Sequence, residues 1–199
     1  MTNRKAVGVY VKKQLDHLAK DENTLNVSGS KALLAQLRRG IGKKPGELPE
    51  LWGAFLNSLP EELMSKSGEP SYSEWAIYTA LTLFALHQQG HSEPMNSEGE
   101  ENRLGRAVRK LIHNDDEEEN IRLKFSIAAC SDDMTELSYR LRTIVKLLSN
   151  ENIKLDYVDL AEDLFLFQIK KSDNEVRLKW GRDFYRNIKN DDDRKEDNQ

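Results

Sequence analysis

His87 and His91 stand four residues apart, a spacing that can bring two imidazoles to one helix face as metal ligands. The run His87-Gln88-Gln89-Gly90-His91 lacks the glutamate of a zinc-protease helix, and Gly90 signals a helix ending between the two rings. His91-Ser92-Glu93 has the start of a deaminase pattern, but one cysteine in the chain leaves no Pro-Cys-x-x-Cys to complete it. Gly40-x-Gly42-Lys43 has part of a phosphate loop without its full spacing, its Ser or Thr, or a preceding strand. Asp156, Asp159, Glu162 and Asp163 crowd one segment without the Gly and Glu of a calcium loop, so a helix cap and a solvated face are expected. The expectation is a chain with no catalytic residues, no metal and no cofactor.

The cations are arranged with more purpose. Arg38, Arg39, Lys43 and Lys44 flank Gly40, and no acid falls between Lys31 and Glu47. Two arginines in a last helical turn suit the partial negative charge of a helix C-terminus; the lysines beyond it suit either solvent or a polyanion. Arg103, Arg106 and Arg109 recur every three residues and share one helical stripe. Arg122 with Lys124, and Arg140 with Arg142, lie on the next two predicted helices, and Lys170 with Lys171 precedes the last. Phosphate binding would require these stripes to converge on one face.

The elements that must position them are helical. Val7, Val11, Leu15 and Leu18 predict a helix from Thr2 to about Lys20, and Ser28 or Ser30 is placed to cap the next. Pro49 and Pro60 suit first helical turns, and Ser71 or Ser73 suits the cap of the most apolar helix, which carries Trp75, Ile77, Tyr78, Leu81 and Phe84. Residues 90–101 are polar, hold Gly and Pro and show no apolar period. Beyond them four further amphipathic stretches follow, among them Leu137, Leu141, Ile144, Val145 and Leu148, and then a last one with Val176, Trp180, Phe184 and Ile188. Asp156 or Asp159 is placed to open the helix before that last one. Trp52, Trp75, Phe84, Phe125, Phe165 and Trp180 all fall on apolar stripes and are expected in the core, whereas Tyr139 and Tyr185 are left open. No segment needs a strand. The fold class is therefore all-α, as two small helical bundles: an N-terminal domain at 1–90, a linker loop at 91–101, a C-terminal bundle at 102–189 and a disordered acidic tail at 190–199.

Composition sets the limits. The 199 residues are 38% hydrophobic and 32% charged with a net charge of −4, so bulk charge does not make the chain a nucleic-acid binder. The charge is uneven, however. Residues 1–50 carry 10 Lys/Arg against 5 Asp/Glu, and residues 51–100 carry 1 against 7. Such asymmetry is expected when one face meets a partner. No run approaches a membrane span, and no apolar leader opens the chain; a soluble, cytoplasmic protein is expected.

Four segments in order carry a family resemblance: Leu37-Arg38-Arg39-Gly40 with Leu48-Pro49; Leu104-Gly105-Arg106-Ala107; Ile153-Lys154-Leu155-Asp156-Tyr157 with Asp159-Leu160; and Val176 through Tyr185. Together, from about residue 5 to 188, they resemble the CasB-like small subunit of the type I-E CRISPR Cascade complex. The resemblance implies a non-enzymatic antiviral-defence subunit that sits beside other Cascade subunits and a second, head-to-tail copy of itself. It also implies contacts to crRNA and to the target and displaced DNA strands of the R-loop. By position it points to Arg38, Arg39, Arg106, Arg122, Lys124, Arg140, Arg142, Lys170 and Lys171 as nucleic-acid contacts. Lys43, Lys44, Arg103 and Arg109 join them on charge density and stripe alone. The alternative is a structural spacer whose cations meet acidic neighbours.

Overall fold

The computed structural model describes residues 3–21, 24–25 and 27–186, with side chains defined for all of these except 19–29 and 115. The expected tail at 190–199 and the end of the expected C-terminal bundle lie outside the described residues. Among those residues the chain forms nine α-helices and one pair of very short antiparallel strands, and the all-α class holds.

Helix α1 (Asn3–Leu18) buries Val7, Val11, Leu15 and Leu18 on one face, as their spacing requires. It runs into β1 (Ala19–Asp21), paired with β2 (Thr24–Leu25), where the sequence reading asks for no strand. Helix α2 (Val27–Arg39) starts earlier than either candidate cap: Ser28 and Ser30 both lie inside its first turn, and the Ser30 hydroxyl donates to Leu18 O at 3.0 Å. A 3-10 turn led by Pro49 opens into α3 (Trp52–Phe55), which is only one turn long. The restart expected after Pro60 is a single 3-10 turn, Glu61–Leu63.

Helix α4 (Tyr72–His87) is the centre of the molecule. Ser71 and Glu74 close a capping box at its start, which satisfies two backbone N–H groups that the helix itself cannot. Ala76, Ile77, Leu81, Leu83, Phe84 and Ala85 are buried all round it. Burying each large apolar side chain contributes about 1.5–3 kcal/mol, so this helix anchors the fold.

The C-terminal helices are α5 (Leu104–Arg109), α6 (Asp115–Ala129), α7 (Met134–Asn150), α8 (Tyr157–Phe167) and α9 (Asp173–Tyr185). Packing crosses the expected boundary: α8 lies against α1 and α4, and α7 also lies against α4, within one continuous hydrophobic core. The core does not divide into two bundles. The stretch expected as a free linker is tied down, with Met95 buried, Leu155 N donating to Met95 O at 3.1 Å and Ser97 N donating to Leu155 O at 3.2 Å. Helix α5 crosses α9 closely enough that a Cβ on Gly105 would strike the Trp180 carbonyl and come within 2.9 Å of Phe184 N. The glycine of the Leu-Gly-Arg-Ala segment is there for that crossing.

Candidate nucleic-acid interface

The candidate cations divide into two groups according to their partners. Asp163 is 1% exposed and accepts from Lys179 Nζ at 2.7 Å and Trp180 Nε1 at 2.7 Å. Burial pushes its carboxyl up to about 6 against the pull of the Lys179 ammonium. The same Lys179 Nζ bonds both oxygens of Asp159 at 2.7 Å. Glu162 is also buried and receives Arg4 Nε at 2.8 Å and Lys5 Nζ at 3.0 Å. Asp156 caps α8, accepting from Asp159 N at 2.9 Å and from Gly99 N at 3.0 Å. The cap is as expected, but the solvated face is not: Glu162 and Asp163 point inward and are paired with cations from distant helices.

Acids also claim the α5 stripe. Arg103 reaches Glu100 at 3.3 Å and Asp159 at 3.5 Å, and Arg106, mostly buried, lies 3.8 Å from Glu100. Arg109 pairs with Glu118 at 3.0 Å and sits 5.8 Å over the Phe184 ring. Burial raises the Asp183 carboxyl, and Arg103, Lys179 and Arg106 offset part of that rise. These three arginines are fastened to the protein's own carboxylates and aromatic core.

The second group faces solvent. Helix α2 ends at Arg39, and Gly40, buried, lets the chain turn beneath α4, where Tyr78 Oη donates to Gly40 O at 3.0 Å. A Cβ there would strike the Tyr78 hydroxyl and the Leu51 side chain, so packing requires this glycine; its φ is not positive, unlike that of Gly42 at 78° and Gly46 at 89°. Burial, reinforced by Glu47 and Glu50, pushes the Tyr78 phenol up to about 12, which keeps it a donor. Arg38 is half-buried and donates weakly to Ala85 O at 3.5 Å, while Arg39 is exposed. Lys43 pairs with Glu47 at 2.7 Å across open solvent. Lys44, Arg122, Arg142, Lys170 and Lys171 are exposed and, among the described residues, have no acid within ion-pair distance. Lys124 Nζ donates to Asn120 Oδ1, and Arg140 lies 3.4 Å from Glu136.

Some of these exposed cations meet. A groove of about 450 Å³ runs between the start of α4, the α6–α7 turn and the α8–α9 loop, with Lys44 and Lys170 on its walls and Trp75 and Phe167 within. A second depression of about 360 Å³ shares Asp133 and Thr135 with the first and carries Tyr139 and Arg140 beside Gly42. The Gly42–Lys44 loop therefore shares one depression with Arg140 and the groove with Lys170, residues nearly a hundred positions or more away in sequence.

Residues 33–185 match the family model for CRISPR-associated protein Cse2. The chain belongs to that family. It is a CasB-like subunit of type I-E Cascade, a structural component whose partners are other Cascade components. Its structure is similar to that of CasB from Thermobifida fusca, 32% identical, with 91% of this chain and 98% of that one covered at a TM-score of 0.74. CasB from M. ruber (21% identity, 92% and 97% covered, TM-score 0.65) and from Thermus thermophilus (20%, 88% and 97%, 0.62) share the fold. No curated protein matches the chain in sequence.

Arg38 and Arg39 lie in the last turn of α2, and Lys170 lies on the groove. Arg106 is mostly buried, 3.8 Å from Glu100. The sequence reading passes over Tyr72, 53% exposed at the groove, and Arg177, which donates to Ala129 O at 2.8 Å and holds the α9 end of that groove to α6. It also places Trp52 in the core, whereas the ring is 51% exposed because a one-turn helix has no second face to bury it. Trp75 and Phe165 are only partly buried. His87 and His91 serve the core's polar bonds: His87 Nδ1 contacts Tyr157 Oη at 3.1 Å, and His91 Nε2 contacts Ser149 Oγ at 2.9 Å. Burial drives His87 down to about 4, so it is neutral at physiological pH. Among the described residues no helix is long and apolar enough to cross a membrane.

Proposed function

We propose that this Cascade subunit is non-catalytic and cytoplasmic, and that its exposed cations grip nucleic-acid backbone to stabilise the R-loop. The observation that carries the reading is the convergence of Lys44, Arg140 and Lys170 from three distant segments on one continuous pair of depressions, with Arg39 and Arg142 also exposed. Exchange of a DNA duplex for an RNA–DNA heteroduplex is nearly balanced in energy, so modest contacts to an exposed strand can shift it. Each solvent-facing cation can replace a condensed counterion on a phosphate, Lys43 and Arg140 by giving up their exposed ion pairs with Glu47 and Glu136. In this reading Arg38, Arg39, Lys43, Lys44, Arg122, Lys124, Arg140, Arg142, Lys170 and Lys171 supply those contacts to crRNA, target strand or displaced strand. Arg103, Arg106 and Arg109 hold α5 in place instead. The segments 1–90 and 102–189 act as two halves of one body, with the proposed groove at their seam, and a second copy is expected head to tail beside the first.

Titration of the free protein with single-stranded DNA tests this. Engagement of four of these cations at once predicts a slope of about −3 in log affinity against log salt, or roughly fifty-fold weakening between about 50 and 200 mM. A flat response would contradict it. It would favour the spacer reading, which has an observation of its own: Glu50, Glu61, Glu62 and Glu69 are exposed in the same stretch of chain as half-exposed Trp52 and Met64, groups suited to a basic protein neighbour.

A further inference from the structure

Two exposed tyrosines bracket the cations of the groove. Tyr139, 60% exposed, stands in the smaller depression beside Arg140; Tyr72, 53% exposed, stands in the larger one beside half-buried Trp75. Neither phenol has a hydrogen-bond partner among the described residues, and neither ring is needed by the core.

The acids along the groove are mostly committed. Asp133 caps α7, accepting from Glu136 N at 2.8 Å. Asp173 accepts from Asn174 N at 2.8 Å and pairs with Arg177 at 2.9 Å. Arg177 in turn lies 5.4 Å over the Phe167 ring, so it is part of the wall. What remains for a ligand is two lysines, 44 and 170, the aromatic faces, and the carboxylates of Asp132 and Glu69 as acceptors. Cations for phosphates, flat apolar faces for rings and acceptors for exocyclic amino groups are the needs of a nucleotide with its base unstacked. A uniform polyanion would not call for the aromatic faces. A volume of about 450 Å³ is within the range of sites that enclose a small planar ligand.

We propose that the two depressions form a base-stacking track, in which Tyr139 and the Tyr72–Trp75 pair take unstacked bases of a single strand whose phosphates lie on Arg140, Lys44 and Lys170. This rests on the nucleic-acid reading above and adds bases to what the subunit holds. Because every base has a π face, the track is tolerant of sequence.

The full-length protein is titrated at low salt with oligo(dT) of about a dozen nucleotides and with an abasic oligonucleotide of equal length. Oligo(dT) is expected to bind about a hundred-fold tighter than the abasic strand. Tyr72→Ala and Tyr139→Ala should each remove about ten-fold from oligo(dT) and nothing from the abasic strand, while Tyr72→Phe and Tyr139→Phe keep wild-type affinity. Both tyrosines are exposed, so their removal leaves the core intact. Equal, salt-sensitive binding of both strands, indifferent to the tyrosine variants, would overturn the track and leave the backbone-gripping function standing. Loss of all binding at every salt concentration would overturn both. In assembled Cascade, a photoreactive residue at position 72 that crosslinks only to protein would assign the groove to a neighbouring subunit and also overturn the track.

Discussion

Arg103 and Arg140 are both arginines on helix surfaces in cation-rich sequence, yet one belongs to an inner joint and the other to an outer rim. The inner joint, where α5, α8 and α9 meet, holds Arg103 and Lys179 against Asp159, and Lys179 also against Asp163; the two carboxylates are 16% and 1% exposed at the side chain. The outer rim holds Arg39, Lys44, Arg142 and Lys170 in solvent with no acid of their own among the described residues. Charge density along the chain does not separate the two. Partners do: a cation already paired with a buried carboxylate cannot be lent to a phosphate without leaving that carboxylate exposed to a large desolvation cost.

Breaking the inner joint should give the largest effect. Lys179→Met leaves Asp159 and Asp163 without their shared ammonium and is expected to cost about 3 kcal/mol in urea unfolding, limited because Asp163 can take up a proton. If the variant is as stable as the wild type, the joint is not what holds α9 to α8.

The pH dependence of stability is expected to be of similar size and carries an opposing pair. His87 falls from 6.5 to about 4 on folding, so the unfolded chain binds the extra proton; its contribution, about 3 kcal/mol, is intact above pH 6.5 and is lost as pH falls toward 4. Asp163 rises from 3.8 to about 6, so its contribution is intact below pH 3.8 and is lost as pH rises through 6. Between pH 4 and 6 the two oppose each other. His87→Gln should remove the acid-side loss and leave stability declining as pH rises through that window, read from urea midpoints across the range. An unchanged profile would mean that the His87 imidazole does not sense its burial.

A smaller effect is expected at the turn between joint and rim. Gly40→Ala pushes a methyl group into the Tyr78 hydroxyl and Leu51, at a cost of about 1–3 kcal/mol. The smallest belongs to the rim: Lys43→Ala removes one exposed ion pair and should change stability by at most about 0.5 kcal/mol.

Periodicity made the helices legible. Leu137, Leu141, Ile144, Val145 and Leu148 are all buried, and Ser71 and Asp156 cap where a hydroxyl or carboxylate before an apolar run should. What was not legible depends on distance. The Arg103 stripe is visible in the sequence, but its partner Asp159 is 56 positions away, and nothing local shows that the two meet. Glu162 and Asp163 read as solvated because Arg4 and Lys5 lie at the other end of the chain and Lys179 comes from the next helix. The one continuous core escaped for the same reason: α8 packs on α1 across most of the chain length, and a polar stretch at 91–101 looks like a boundary until Leu155 is seen bonded to Met95. Trp52 failed differently, since an apolar stripe over a single helical turn cannot define a buried face.

The rim's role in nucleic-acid binding is tested most directly by R-loop lifetime in assembled Cascade carrying Arg38→Ala, Arg39→Ala, Arg140→Ala and Arg142→Ala together. These side chains lie largely outside the core, so the subunit should still fold and assemble, while dissociation of target DNA becomes faster and less sensitive to salt. Target binding and lifetime indistinguishable from wild type would contradict the account and leave the subunit as a spacer.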